Sequence, residues 1–216
     1  MQITSLLYQI ELEREALAGA WREHAPASPP RANARDDPHG SSLATGLAFQ
    51  TRDGLIYTLR RVTPADEGLL GEFMRHLSGQ ARWLRFMTAR PCSPEVVRAE
   101  VARMLAGAAG NFITLIVTQT RGSSAAVVAV AELVCDRESA TGEVGVVVSD
   151  AAQRKGLGSL LLRQLLLIAQ ELGLSQLHGD MFAHNYVIQR LIRGIGLPYD
   201  ATIRAGEMHV VVRVPV

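Results

Sequence analysis

Apolar residues in this chain keep two rhythms, one of period two and one near 3.6. From residue 111 onward the runs NFITLIVTQT, AAVVAVAELVCD and GEVGVVVSD are of strand length, rich in β-branched residues and separated by short polar turns, which predicts three consecutive strands. SQLHGDMF and EMHVVVRV read as two later strands, and LAFQTRDGLIYTLRRV sets two strand-like runs about Asp53-Gly54, the signal for a tight hairpin. The helical rhythm appears in GLGSLLLRQLLLIAQELGL, closed by Gly173, and in NYVIQRLIRGIG. Thr63-Pro64-Ala65-Asp66 supplies a hydroxyl cap, a proline in the first turn and an acid, predicting a helix through residue 78; Ser93-Pro94-Glu95 repeats that grammar for a helix through about Ala106. The order β-β-α-α-β-β-β-α-β-α-β predicts an α/β protein of the α+β type: a mixed central sheet, antiparallel in its front half, with a βαβ crossover behind and helices on both faces.

The first 43 residues follow a different pattern. Ile3, Leu6, Leu7, Ile10, Leu17 and Trp21 lie on one stripe of an amphipathic helix, which packs on its own domain or forms a homodimer contact. Residues 24–42, HAPASPPRANARDDPHGSS, lack large apolar side chains and read as a linker. The chain therefore divides into residues 1–43, helix and linker, and a compact domain over 44–216.

Composition narrows the function classes. Of 216 residues, 48% are hydrophobic and 20% charged, as in an ordinary soluble globular protein. A net charge of +1 gives no bulk attraction to nucleic acid or an anionic membrane, so any anion site must be local. Cys92 and Cys135 stand far apart, outside any CxxC or His-rich context; this argues against a disulfide framework or zinc site and suits a reducing, cytoplasmic setting. The start MQITSLLYQIELERE carries acids where a signal peptide needs an apolar core, and no window reaches the roughly 18 apolar residues of a membrane span. His178 and His184 flank HGDMFAH with no second ligand pair at metal spacing, so no metal site is expected.

The most informative stretch is SDAAQRKGLGSLLL. Between a valine-rich strand and a long apolar helix stand Gln153, Arg154 and Lys155, then Gly156, Leu157, Gly158 and Ser159. Unpaired amides at a helix start carry partial positive charge, glycine accepts the positive φ that a nest of amides needs, and polar side chains at the rim add donors. This is a phosphate loop. The nucleoside-triphosphate loop needs Gly-Lys-[Ser/Thr] after four intervening residues, which is missing, and the dinucleotide fingerprint needs a third glycine where Leu161 stands.

What remains, [Gln/Arg]-x-x-Gly-x-[Gly/Ala] opening a helix after a strand, resembles the acetyl-CoA pyrophosphate loop of the Gcn5-related N-acetyltransferase superfamily. Asn185 through Leu197 is similar to that superfamily's Asn-x₁₀-Gly-[Phe] helix, with Leu197 in place of the aromatic. The resemblance spans roughly residues 55–214 and implies the fold of that superfamily, with acetyl-CoA as co-substrate. It implies contacts from Val146, Val147 and Val148 to the pantetheine arm, from Gln153–Ser159 to the pyrophosphate, and from Asn185 to the arm; as a residue type Asn185 equally suits a helix cap. The cofactor would enter a V-shaped opening between strands 143–148 and 175–181. Within the superfamily, LRRVTPADEGLLGEFMRHLSGQARWLRF followed by CSPEVV resembles bacterial protein-lysine acetyltransferases that modify acyl-CoA synthetases.

An amine must be neutral to attack, and lysine's ordinary pKa of about 10.4 leaves it protonated near pH 7, so a carboxylate must accept a proton. Glu143, opening the strand before the loop, holds the position that the resemblance gives to a general base, with Glu132 on the preceding strand in reserve. Gly145, on the face of Glu143, would leave space for the acceptor. The resemblance implies that a strand amide, Val146 or Val148, would hold the oxyanion. The tyrosine acid of many superfamily members is replaced by Ile192, while Tyr186 and Tyr199 are off register. The arginines around Trp83, Arg82, Arg85 and Arg90, form an acceptor edge or a solvated helix end. Two acceptor classes stay open, a protein lysine and a small amine held by Asp66, Glu67, Glu72, Glu95 and Glu100; so does a degenerate fold that only binds acyl-CoA.

Overall fold

Alternating burial builds the sheet. The computed structural model describes residues 46–51, 54–87, 92–106, 111–121 and 124–215; the expected N-terminal helix and linker lie outside them. Strand β1 (Leu47–Gln50) pairs with β2 (Ile56–Arg61), which buries Tyr57 and Leu59 on one face. Strands β3 (Phe112–Arg121), β4 (Ser124–Asp136) and β5 (Thr141–Val148) follow, and β4 is buried on both faces from Val127 to Leu133, as the central strand of a covered sheet must be. Then come β6 (Gln176–Phe182), β7 (Tyr199–Arg204) and β8 (Glu207–Arg213).

The eight described strands form one mixed sheet in the order β1-β2-β3-β4-β5-β6-β8-β7, antiparallel throughout except between β5 and β6. Helices α1 (Glu67–His76), α2 (Gly79–Phe86) and α3 (Pro94–Leu105) cover one face, where Leu70, Phe73, Val97, Val101 and Met104 pack with Ile116, Val130 and Val147. Helix α4 (Leu157–Glu171) covers the other, setting Leu157, Leu161 and Leu165 in a core with Leu115, Ala129, Ala131 and Leu133. Helix α5 (Tyr186–Ile195) closes the back of β6 and β8 through Ile188 and Ile192 against Met181 and Val210. The mixed sheet, crossover and two-sided helices match the expected fold class.

The β1–β2 hairpin turns tightly before Gly54, as expected: the Gly54 amide donates to Thr51 O at 2.9 Å and the Thr51 amide to Leu55 O at 3.0 Å, with Gly54 at φ 79°. Two local expectations are corrected. The helix expected over 64–78 is a 3₁₀ turn at Pro64–Asp66 followed by α1; the chain turns extended at Leu77, and Ser78 caps a separate α2, its Oγ accepting from the Ala81 amide at 3.1 Å. Strand β7 was unforeseen because each of its residues is exposed, which leaves no alternation of apolar and polar positions to detect. Asp66, one of the acids considered for an acceptor pocket, is buried instead. It accepts from both Arg60 guanidinium nitrogens, at 2.7 and 2.6 Å, and from the Thr63 amide at 2.8 Å. The Arg60 hydrogen bonds hold its carboxyl below the usual carboxylate range.

Candidate active site

Where β5 meets β6 the sheet comes apart. Their parallel ladder joins only Thr141 to Gln176, Gly142 to Leu177 and Glu143 to His178, whereas β4 holds β5 as far as Val148. Beyond Glu143 the two strands diverge around a cavity of about 840 Å³ lined by both and by residues of α2, α3, α4, α5 and β8. The Ser149 amide donates to Val128 O at 2.9 Å, so by the two-residue alternation of an antiparallel ladder the amides of Val147, Gly145 and Glu143 also turn toward β4. Those of Val144, Val146 and Val148 then turn the other way, into the opening. The carbonyl of Val148 already accepts there from Gln153 Nε2 at 3.3 Å.

At the wide end lies the glycine loop. Arg154 and Gly156 both have positive φ, 62° and 84°, which turns the backbone sharply before α4. A Cβ at Gly156 would meet nothing within 4 Å, so glycine is required there by conformation and the space beside it is open. At Gly158 the reason differs: a Cβ would come within 2.9 Å of Leu191 Cδ1, and glycine lets α4 and α5 approach. The first-turn amides of α4, on Leu157, Gly158 and Ser159, have no acceptor within their own helix and line the opening with Gln153 and Arg154. Lys155 does not line it; its Nζ lies 3.3 Å from the Tyr57 hydroxyl and 6.0 Å from that ring's centroid.

The two candidate carboxylates have unlike surroundings. Glu132 and Gly145 are cross-strand partners, so both share the α1–α3 face with Glu143. The Glu132 side chain is 3% exposed and ion-paired with Arg85 of α2 and Arg103 of α3. Arg103 Nη2 donates to Oε2 at 3.1 Å, and its Nη1 stands 3.0 Å from Oε1, within ion-pair range but without hydrogen-bond alignment. Burial works against the charge on Arg103, but Glu132 and then Glu100 outweigh it and raise the guanidinium above its ordinary value. Both carboxylates line the opening, but Glu143 is exposed in it.

The space over Gly145, expected to admit the acceptor, is filled by Arg85. A Cβ at that position would collide with the guanidinium, which crosses the glycine to reach Glu132. The sequence reading named Arg85 only as part of a possible acceptor edge. The signal for its true position was the polar Glu132 inside an otherwise apolar strand, since a buried charge demands a partner.

Asn185 lines the opening at 7% exposure and caps α5, its Oδ1 accepting the Ile188 amide at 3.4 Å. Ile192, in the tyrosine's place, is buried against Met181 and Val210, while Tyr186 is 68% exposed. Of the acids on the acceptor-side helices, Glu72, Glu95 and Glu100 each pair with an arginine three residues on, Arg75, Arg98 and Arg103. Sequence reasoning missed an aromatic stack on the same sheet face: Trp83 of α2 lies on Phe182 at 4.8 Å between centroids, and Phe182 on His184 at 5.3 Å. Among the described residues no group of three or more His, Cys, Asp or Glu is placed to hold a metal, and no helix is long and apolar enough to cross a membrane.

A strand pair that parts beside an amide-rich helix start leaves room for a phosphate-bearing ligand laid along the strand. The chain belongs to the acetyltransferase (GNAT) domain family, whose model matches residues 57–198. It is an acetyl-CoA-dependent N-acetyltransferase. Among solved structures it is similar to the GNAT domain of S. lividans PAT, at 19% identity over 83% of this chain and 99% of that one, with a TM-score of 0.66. It is also similar to the spermidine N-acetyltransferase of Vibrio cholerae, in complex with CoA and spermine, at 12% identity over 73% and 95% of the two chains, TM-score 0.57. A cAMP-binding acyltransferase from Mycobacterium smegmatis matches at 22% identity and TM-score 0.51, over 79% of this chain but 48% of that one. At these identities the likeness is one of fold. Comparison of the sequence with curated proteins finds no match.

Proposed function

We propose that this enzyme transfers the acetyl group of acetyl-CoA to a lysine side chain of a protein, with Glu143 as general base. The observation that carries the reading is the contrast between the two carboxylates. Glu143 stands open at the point where β5 and β6 part. A proton on Glu132 would instead leave Arg85 and Arg103 without their counter-charge. The cofactor's arm lies along the outward amides of Val146 and Val148, one of which serves the oxyanion, and its pyrophosphate meets the α4 amides with Gln153 and Arg154. Val147 contributes through the strand that carries these amides, and Asn185 borders the same opening. Lys155 braces the loop from behind through Tyr57.

A protein acceptor is favoured over a small polyamine because Glu72, Glu95 and Glu100 are each matched by an arginine, and Asp66 by Arg60. The resemblance of the Leu77–Pro94 region to protein-lysine acetyltransferases points the same way. Cys92 and Cys135, both free, suit a reducing cytoplasm.

Gly156→Asp tests the loop. It sets a carboxylate beside the pyrophosphate position, and calorimetry should find acetyl-CoA affinity lowered at least tenfold, about 1.4 kcal/mol. Affinity within twofold of wild type would remove the phosphate from this loop. For the acceptor, lysate from the same host is incubated with enzyme and labelled acetyl-CoA, then analysed by mass spectrometry. Label on lysines of one or a few proteins is expected; label confined to small amines would refute the protein acceptor while leaving the acetyltransferase intact.

A further inference from the structure

The floor of the opening carries more titratable groups than a single base. Glu143 and His178 are partners in the parallel ladder, about 4.8 Å apart across the strands, with their side chains on one face. Both line the opening. On the same face of β6 stands Asp180, whose Oδ1 accepts from His209 Nδ1 of β8 at 2.8 Å. The rings of His178 and His209 lie 5.9 Å apart, tilted by 37°. Glu143, His178 and the His209–Asp180 pair thus form a row that leads from the cleft to the surface, where the His209 side chain is 48% exposed. The ladder partner of His178 on β8 is the apolar Val211, and Arg85 of α2, on this face, is paired with Glu132.

Resting on the reading of Glu143 as base, the reaction makes a specific demand on this row. The acceptor arrives as an ammonium ion. One proton must leave before attack; the nitrogen then bonds to the thioester carbon, the C–S bond breaks with its electron pair going to sulfur, and a second nitrogen proton ends on the thiolate. Each turnover therefore releases one proton to water; Glu143, exposed in the free enzyme, is covered by the docked protein acceptor, so the proton needs another way out. We propose that His178 takes this proton from Glu143 and passes it to solvent past the His209–Asp180 pair. Imidazole is the side chain that both accepts and releases a proton near neutral pH. His178 acts through Glu143 and does not touch the reacting atoms.

The test measures initial rates of label transfer from labelled acetyl-CoA to lysate protein, in dilute and in concentrated buffer. His178→Gln should lose about tenfold in dilute buffer, at the lower end of proton-transfer effects, with acetyl-CoA affinity unchanged. Added imidazole or concentrated buffer, which can take the proton from Glu143 directly, should restore most of the rate. A rate within twofold of wild type in dilute buffer, or a loss that neither addition repairs, overturns the relay. Glu143→Gln is measured alongside: if it stays active the base assignment itself fails, whereas an inactive Glu143→Gln with an unaffected His178→Gln removes only the relay. Should circular dichroism show His178→Gln unfolded, His209→Gln, at an exposed position of β8, gives the same readout, with a smaller loss that imidazole again repairs or, against the proposal, does not.

Discussion

Glu143→Gln should lower the rate of acetyl transfer by roughly 10²–10⁴-fold while acetyl-CoA affinity stays within twofold. Glutamine keeps the shape and the exposed position at the parting of β5 and β6 but cannot accept a proton from the incoming ammonium. The pyrophosphate and pantetheine contacts proposed above lie farther along β5 and at the start of α4, so binding and chemistry separate in this variant. Steady-state rates with calorimetric binding check it. An unchanged pH–rate profile would move the base elsewhere or leave attack unassisted.

Arg85→Met carries the second large effect, on stability. It removes one of two cations from a carboxylate whose side chain is 3% exposed. Stripping one partner from a buried ion pair costs about 3–5 kcal/mol, and with Arg103 still in place about 2–3 kcal/mol is expected. For a chain of this size that corresponds to a fall in Tm of roughly 4–12 °C, readable by thermal unfolding. The control is Arg98→Met, whose pair with Glu95 is about 70% exposed on both sides and should shift Tm by less than about 2 °C. Equal Tm values for the two variants would show that Arg85 does not sustain the buried charge.

Much of this arrangement was legible in the sequence, and the parts that were not share a cause. Strands β3 to β5 announced themselves as apolar, β-branched runs of strand length between polar turns, and helix α4 by its 3.6-residue rhythm. The glycine loop was legible because Gly156 needs a conformation few other residues adopt. Helix α2 escaped notice: it is eight residues long and begins only two residues after α1 ends. Strand β7 has no buried side to pattern it. The placement of Arg85 over Gly145 depends on a contact across 60 positions of chain, which no local rhythm encodes. Burial alone then distinguishes Glu132 from Glu143, two acids that look alike in sequence. The same holds for Arg154 and Lys155, adjacent cations of which only the first lines the opening.

The short parallel ladder between β5 and β6 has a thermodynamic consequence. Three register positions join the two halves of the sheet there, against seven between β6 and β8. If the cofactor arm lies along the outward amides as proposed, the ligand would supply hydrogen bonds that the two strands deny each other, and so complete the sheet. Its binding energy then counts toward folding: a free concentration one hundred times the dissociation constant adds about 2.7 kcal/mol to the native state. The unfolding temperature of the enzyme would thus rise with the concentration of acetyl-CoA, so that a thermal melt reads the cofactor as well as the protein.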